Sequence, residues 1–183
     1  ARGGRCTLCL VSGEPGIGKS RLLAEFANFS PQSGACIHWG FAWEAGGAPA
    51  YWTWIQVLRS VLAHECGRAA LEQQPHLAVP IGELVPELLP DAAGRGAQLE
   101  PEQARFRLMD AVSSLLVSAA THSPLVLVLE DLHATDADSL ALLEFAMRQL
   151  HASRALVIGT FRDAEIQRPR IGNIITRLRR GAI

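Results

Sequence analysis

The sequence predicts an α/β fold in which a parallel sheet is covered by helices. Short apolar runs typical of buried strands alternate with longer segments in which apolar residues recur every three or four positions, the period of an α-helix. A chain of 183 residues, 49% of them hydrophobic, is long enough to bury a core of its own. The net charge of −1 argues against a dedicated nucleic-acid or membrane-surface module, since such modules usually carry a strong basic excess.

The first half of the chain alternates strand and helix patterns. We predict a strand at 7–12, a helix at 19–29, a second strand at 35–39 and a helix that begins at about Tyr51. That last helix places Trp54, Leu58 and Val61 at three- and four-residue spacings, so these side chains share one face. Prolines between residues 75 and 90 break the following region into short pieces, and 91–98 is the segment most typical of a loop.

The second half continues the alternation. Its predicted elements are a helix at 101–121, a strand at 125–129, a helix at 138–150 and a strand at 155–161. The apolar face of the first of these helices consists of Phe106, Met109, Val112, Leu116 and Ala119 or Ala120. The run at 125–129 is continuously apolar, which is typical of a strand buried on both faces. Thr135 or Asp136 is expected to cap the helix that follows.

The four cysteines indicate structural thiols rather than a metal site. Cys6 and Cys9 are three positions apart in a predicted strand, so their side chains face opposite sides and cannot easily share one ion. No second Cys-x-x-Cys and no pair of histidines completes a zinc motif. We therefore expect all four, including Cys36 and Cys66, to be core thiols in a reducing cytoplasm. No apolar run is long enough to cross a bilayer, so no membrane partner is expected.

Residues 13–20, with the sequence GEPGIGKS, match the phosphate-binding pattern G-x-x-x-x-G-K-[ST] between a predicted strand and a predicted helix. Glycines let the backbone approach phosphate oxygens, and successive N–H groups at a helix start form an anion site. Lys19 would place its charge on the β- and γ-phosphates of ATP, and Ser20 would offer its hydroxyl to Mg²⁺. The predicted nucleotide contacts in this region are Gly13, Glu14, Pro15, Gly16, Ile17, Gly18, Lys19, Ser20 and Arg21. The alternative is a glycine-rich turn that carries a lysine by chance.

Two carboxylates, Glu130 and Asp131, follow the apolar run at 125–129. At the carboxyl end of a parallel strand they would face the crevice where open α/β sheets bind ligands. Because Mg²⁺ on nucleotide phosphates needs a carboxylate nearby, we predict a metal site of Ser20, Glu130 and Asp131. Both acids are also predicted catalytic residues, with Glu130 on the metal side and Asp131 activating the attacking water. The reverse assignment stays open, since aspartate is the commoner metal-side residue, and the acids could also merely end a strand.

Thr160 and Arg162 end the strand at 155–161 and would lie at the same edge of the sheet. Arg162 is the third predicted catalytic residue, because a charge at this edge could sense the γ-phosphate. Thr160 is a further predicted nucleotide contact. The alternative for Arg162 is a salt bridge at the rim, with Asp163 as a partner. Glu44 and the aromatic residues after the second strand favour packing over nucleotide stacking.

Four segments resemble the ATPase domain of STAND-class regulators, which are signal-transduction ATPases with numerous domains. They are LVSGEPGIGKSRLLAEF, WGFAWEAGGAPAYWTWIQVLRSVL, LVLEDLHATDADSLALLEF and LVIGTFRDAE, and together they cover most of residues 10–165. More narrowly, the chain resembles the large LuxR-family regulators of actinobacteria and the related ATPase modules attached to bacterial nucleotide cyclases and kinases. The acidic motif of that family usually continues as Leu-His-Trp-Ala-Asp, whereas residues 132–136 here read LHATD and lack the tryptophan.

The resemblance implies a three-layer P-loop NTPase domain with strand order 2-3-1-4 and a fifth strand lost beyond the end of the chain. It also implies an ATP-dependent switch, in which bound ATP favours an active oligomer and hydrolysis resets it. We expect residues 1–183 to form a single domain with a helical insert at about 41–124. Because the chain lacks an initiating methionine and ends within a helical pattern, we expect it to be a piece of a longer protein.

The predicted function is binding of Mg·ATP with slow hydrolysis, as part of a signal-transduction or transcriptional regulator. The expected partners are ATP and ADP, other copies of the chain, and other domains of the full-length protein. Specific nucleic-acid binding by this chain is not expected, because a net charge of −1 provides no broad basic surface. Two other classes stay open. A small-molecule phosphotransferase should add an arginine-bearing lid and an acceptor pocket, and a binding scaffold would never hydrolyse its nucleotide.

Overall fold

Four parallel strands pair into one sheet. The structure is a computed structural model that describes residues 4–29, 32, 34–92, 99–167 and 169–181. The strands are β1 Thr7–Ser12, β2 Cys36–Phe41, β3 Leu125–Glu130 and β4 Ala155–Phe161. The helices are α1 Lys19–Phe29, α2 Trp52–Ala63, α3 Glu65–Gln73, α4 Ala78–Gly82, α5 Pro101–His122, α6 Ala137–Gln149 and α7 Pro169–Gly181. A parallel sheet joined by helices confirms the predicted α/β class.

The strand order is β1-β4-β3-β2, so the predicted order 2-3-1-4 is wrong. β4 lies between β1 and β3, since Val157 is paired with Leu8 on one side and with Leu127 on the other. The physical reason is burial. β4 is buried along nearly its whole length, whereas β1 alternates between exposed and partly exposed positions. A strand with neighbours on both sides and helices on both faces must be apolar throughout, so β4 rather than β1 takes the inner place.

Most predicted elements agree with the observed bounds to within a few residues. β1, β4 and α1 match the predicted ranges fully, and α5 extends the predicted helix by one residue. β2 is longer than predicted, because its pairing with β3 continues until Phe41 lies opposite Glu130. Part of the loop predicted at 91–98, residues 93–98, lies outside the described residues. None of the described helices is both long and apolar enough to cross a membrane.

Two apolar clusters cover the two faces of the sheet. The larger cluster joins the sheet to α2, α3, α5, α6 and α7 and includes Leu127 and Val157. The smaller cluster lies on the opposite face, where Leu23 of α1 packs with Val128 and Ile158. Successive residues of a strand point to opposite faces, so both β3 and β4 contribute to both clusters. The sheet therefore lies between two layers of helix.

Two predictions about individual side chains are wrong. Phe106 does not belong to the apolar face of α5, because 56% of it is exposed and its ring packs edge-on against Phe145 at 5.7 Å. The buried face is turned toward α3 and α6 instead. It consists of Leu108, Ala111, Val112, Leu115, Leu116, Ala119 and Ala120. Cys9 is exposed rather than a core thiol, since β1 is not covered on that side, and Cys6 is only partly buried.

Candidate nucleotide-binding site

The predicted site residues come from three strands that end at the same edge of the sheet. β1 leads into the loop 13–20, β3 ends at Glu130, and β4 ends at Phe161 next to Arg162. Because the strands are parallel and Ser12 lies opposite Phe161, these three ends are brought together. This is the carboxyl edge, where open α/β sheets bind their ligands.

The glycine-rich loop wraps around its own lysine. Lys19 donates hydrogen bonds from Nζ to the carbonyl oxygens of Gly13, at 2.9 Å, and Glu14, at 3.1 Å. Gly16 and Gly18 have φ values of 78° and 102°, a region that side chains rarely adopt. A Cβ atom at either glycine would meet nothing within 4 Å, so the need for glycine is conformational and the space beside the loop is open.

The start of α1 presents backbone donors toward that open space. Within the described residues, no backbone carbonyl accepts a hydrogen bond from the amides of Gly18, Lys19 or Ser20. Orphan amides at a helix N-terminus carry partial positive charge and bind phosphate well. The amides and the ammonium of Lys19 are therefore a donor set that fits an anion. Ile17 and Arg21 are exposed beside it, as are Glu14 and Pro15.

Ser20 and Glu130 are in contact. The Ser20 hydroxyl donates a hydrogen bond to Oε2 of Glu130, which is only 5% exposed. Within the described chain this carboxylate forms no ion pair, and an unpaired buried charge is costly. One hydroxyl and one carboxylate are oxygen ligands of the kind that Mg²⁺ prefers. These two residues therefore fit a magnesium ion at the mouth of the loop.

Asp131 is oriented separately from Glu130. Its backbone is left-handed, with φ 57° and ψ 49°, which is uncommon for a residue other than glycine. Its amide donates a 2.9 Å hydrogen bond to Oγ1 of Thr160, which is 1% exposed. The Thr160 side chain therefore contacts Asp131. Among the described residues, no side-chain hydrogen bond joins Thr160 to the glycine-rich loop 13–20. The Asp131 side chain lies beside His133, whose Nδ1 is 3.9 Å from Oδ1.

Arg162 forms a salt bridge, but its partner is Glu44 and not Asp163 as the alternative proposed. Nη2 of Arg162 donates a hydrogen bond to Oε1 of Glu44, 118 residues earlier in the chain. The same Oε1 lies 3.3 Å from Nε2 of His133. Glu44 thus joins Arg162 to the group around Asp131, and ligand atoms of Glu44, Asp131 and His133 lie within 4.8 Å of one another.

The sequence pattern favours packing for Glu44, whereas in the structure its carboxylate contacts Arg162 and His133 at this edge of the sheet. Glu44 follows the carboxyl end of β2, which lies beside β3, so an acid there belongs to the same edge of the sheet. This position next to the end of β2 is the sequence feature that indicates a place for Glu44 in the site.

The tryptophans of the same segment lie in two different environments. Trp54 is buried and donates to the Ser139 carbonyl at 2.9 Å, whereas Trp43 is 54% exposed and donates to Gly46.

A small cavity of about 270 Å³ adjoins this network between the segment after β2 and the turn after β3. Trp43, Thr53 and His133 are among its lining residues. Its volume lies below the roughly 300–1,000 Å³ that is usual for small-molecule pockets. Asp136 also borders the cavity but is engaged in capping α6, since its Oδ1 accepts the Ser139 amide at 2.9 Å. This confirms Asp136 rather than Thr135 as the cap.

Comparison with known proteins agrees with this geometry. Residues 1–158 match the family described as the AAA ATPase domain. No curated protein matches the chain. The matched residues include β1, β2, β3 and the first part of β4, which continues beyond Ile158. They also include the glycine loop and the acidic pair. Members of such a family are ATPases, which implies nucleotide binding, usually with Mg²⁺. The chain belongs to the AAA ATPase domain family.

Proposed function

We propose that this chain binds Mg·ATP at the loop 13–20 and hydrolyses it slowly, as the switch domain of a STAND-class regulator similar to the large LuxR-family proteins. Family membership supports nucleotide binding and ATPase activity in general. The narrower assignment rests on the resemblance of the four sequence segments. In such a protein, occupancy of the site by ATP or ADP would decide how the chain contacts other copies or other domains.

The observation that carries the proposal is the contact between Ser20 and Glu130. It places the last residue of the phosphate loop against the acid that ends β3. Lys19, held by two loop carbonyls, would exchange these partners for phosphate oxygens. When bound, Mg²⁺ would neutralise part of the phosphate charge. Ser20 and Glu130 would hold it, directly or through water.

The acid next to Glu130 has the position expected of a group that orients water. Asp131 is only partly buried, and its described contacts are with Thr160 and His133. His133, 3.9 Å away, limits where the carboxylate can turn. We therefore assign Asp131 to holding and deprotonating the attacking water, a role typically worth about 10²–10⁴ in rate.

Slow turnover follows from the state of Arg162. An arginine that reaches the transferred phosphate can be worth about 10³–10⁵ in rate. Here the guanidinium is paired with Glu44, so its charge is already compensated. Hydrolysis would require Arg162 to leave Glu44, or a second arginine to come from another protomer or domain. This supports slow hydrolysis that sets how long the ATP-bound state lasts, rather than the turnover of a metabolic enzyme.

Calorimetry of ATP binding with Lys19→Ala tests the proposal. Loss of a charge-assisted contact should weaken ATP binding by about 1.5–3 kcal/mol, roughly ten- to hundredfold in Kd. Arg148→Ala is the matched control, because it also removes one positive charge, on an exposed side chain paired with Glu144 on α6. Unchanged ATP affinity in a folded Lys19→Ala protein would refute the assignment of the loop.

Two assays separate the alternatives. A small-molecule phosphotransferase would transfer the γ-phosphate to an added acceptor, which thin-layer chromatography detects. A scaffold would bind ATP but release no phosphate in a single-turnover experiment. The proposal predicts phosphate release to water, at less than about 1 s⁻¹, the lower end of ordinary enzymes. A module attached to a nucleotide cyclase or kinase would share all these properties, so only the full-length protein distinguishes that context.

A further inference from the structure

A second cluster of chemically active side chains lies at the start of β2, at the end of the strand opposite the carboxyl edge that carries the proposed nucleotide site (the nucleotide edge). Cys36 is the first residue of β2, and His64 and Cys66 flank the junction between α2 and α3. Cys36 and Cys66 are buried free thiols, and His64 is exposed. Cys36 is 28 positions from His64 in the chain, and the two are brought together because α2 packs along β2.

The sulfur-to-nitrogen distance between Cys36 and His64 is that of two ligands on a tetrahedral metal ion. Sγ of Cys36 lies 3.4 Å from Nδ1 and 3.5 Å from Nε2 of His64. One sulfur and one nitrogen on a zinc ion are about 3.5 Å apart, given bonds of about 2.3 and 2.0 Å and tetrahedral angles. The ligand atoms of all three residues lie within 4.8 Å of one another. Nδ1 of His64 accepts the Cys66 amide at 3.4 Å, a long hydrogen bond that a zinc ion on Nδ1 would replace, because a neutral imidazole has only one free ring lone pair.

An unused imidazole nitrogen lies beside the cluster. His38 is 1% exposed and follows Cys36 by two residues on β2, so both side chains are on the same face of the sheet. Its Nδ1 is 2.8 Å from the Ser60 hydroxyl, whereas its buried Nε2 has no hydrogen-bond partner among the described residues. Its ring lies 6.1 Å from that of His64, edge to face. Metal-binding histidines are commonly fixed in this way through their other nitrogen.

We propose that Cys36, His64 and Cys66 bind a zinc ion, and that His38, which is not among the residues whose ligand atoms lie within 4.8 Å of one another, moves its Nε2 toward the ion to become the fourth ligand. Two sulfurs and two imidazoles are a common set for structural zinc. The exposed side of His64 provides an entry path for the ion. Zinc bound here would tie the start of β2 to the α2–α3 junction and so fix these helices against the sheet. This site is separate from the nucleotide edge and does not depend on the proposed ATP-binding function.

A redox-active pair of thiols is the competing interpretation of the two cysteines. Reactive cysteines need a lowered thiol pKa and access to solvent. Cys36 and Cys66 are both buried, so neither thiol has that access. The exposed histidine between them and the unused nitrogen of His38 also have no role in disulfide exchange. The cluster therefore favours metal binding.

Zinc titration of the chelator-treated 183-residue chain tests this proposal. One equivalent of Zn²⁺ should bind, and Co²⁺ should bind in its place with a thiolate-to-cobalt charge-transfer band. His64→Ser is the most informative variant, because serine retains an N-cap for α3 while the metal ligand is lost. It should weaken zinc binding at least about tenfold. His38→Gln should also weaken it, and an unchanged affinity would overturn the assignment of the fourth ligand.

Cys9→Ser is the matched control, since Cys9 is an exposed thiol outside the cluster. It should leave zinc affinity unchanged, whereas Cys66→Ser should abolish binding. Should Cys66→Ser fail to fold, the charge-transfer band of the Co²⁺ complex replaces it: the band should be present in the unsubstituted chain and unchanged in Cys9→Ser. Absence of tight zinc binding would overturn the proposal. So would a Co²⁺ complex without sulfur ligands, or zinc binding that survives in His64→Ser.

Discussion

The hydroxyl of Ser20, in the first turn of α1, donates a hydrogen bond to Oε2 of Glu130 at the end of β3. The two residues are 110 positions apart in the chain, and the sheet brings them together. This contact joins the loop that would hold the phosphates to the acid that would hold the metal. It supports Glu130, rather than Asp131, as the residue on the metal side, which the sequence had left open.

Glu130→Gln should weaken the dependence of ATP binding on Mg²⁺. The amide keeps the shape of the side chain but lacks the charge that makes a carboxylate a magnesium ligand. Calorimetry with and without Mg²⁺ should show a large effect of the metal in the unsubstituted chain and a small one in the variant. Ser20→Ala should act in the same direction. If only Asp131→Asn removed the metal dependence, the two acids would have exchanged roles.

Asp131→Asn should retain Mg·ATP and lose hydrolysis. Its side chain lies beside His133, whereas Glu130 contacts Ser20, so loss of the Asp131 charge should affect the water and not the metal. We expect phosphate release in a single turnover to fall by about 10²–10⁴. The Kd for Mg·ATP should change little. A variant that binds ATP poorly but hydrolyses what it binds at the normal rate would contradict this role.

Arg162 and Glu44 should have opposite effects on the preference for ATP over ADP. Arg162→Ala removes a charge that only a γ-phosphate would meet, so the preference should fall. Glu44→Gln removes the carboxylate that competes for Arg162, so the preference should rise. Both effects should be roughly two- to tenfold, because the pair is partly exposed. Equal losses of ATP and ADP affinity in Arg162→Ala would indicate a purely structural salt bridge.

Gly40→Ala should destabilise the fold more than Gly159→Ala. A Cβ at Gly40 would lie 2.4 Å from the Thr53 carbonyl oxygen, and that backbone of α2 cannot move without shifting the helix. At Gly159 the closest atom would be Cδ1 of Leu132, at 2.5 Å, which a rotation can move. We expect a loss of about 1–3 kcal/mol or more for Gly40→Ala in urea unfolding. The reverse ranking would contradict the packing of α2 on β2.

Local patterns were enough to predict the loop and the strands, because these depend on residues that are neighbours in the chain. The sequence of residues 13–20 specifies a turn between β1 and α1, and the apolar run of β3 specifies a buried strand. The strand order depends instead on which strands pair, and that is decided by burial over the whole sheet. The same holds for contacts across long stretches of chain. Nothing near Glu44 in sequence indicates that Arg162 is its partner.

Protection of Lys19 from acylation tests the central claim most directly. Lys19 is the single lysine among the 183 residues, so one amine besides the N-terminus can react, and the N-terminus serves as an internal control. If the phosphates of ATP lie against Lys19, Mg·ATP at about 100 times its Kd should slow acylation of that residue by about a hundredfold, because only the free fraction reacts. The rate at the N-terminus should not change. An unchanged rate at Lys19, with calorimetry showing ATP bound, would place the nucleotide elsewhere and contradict the account.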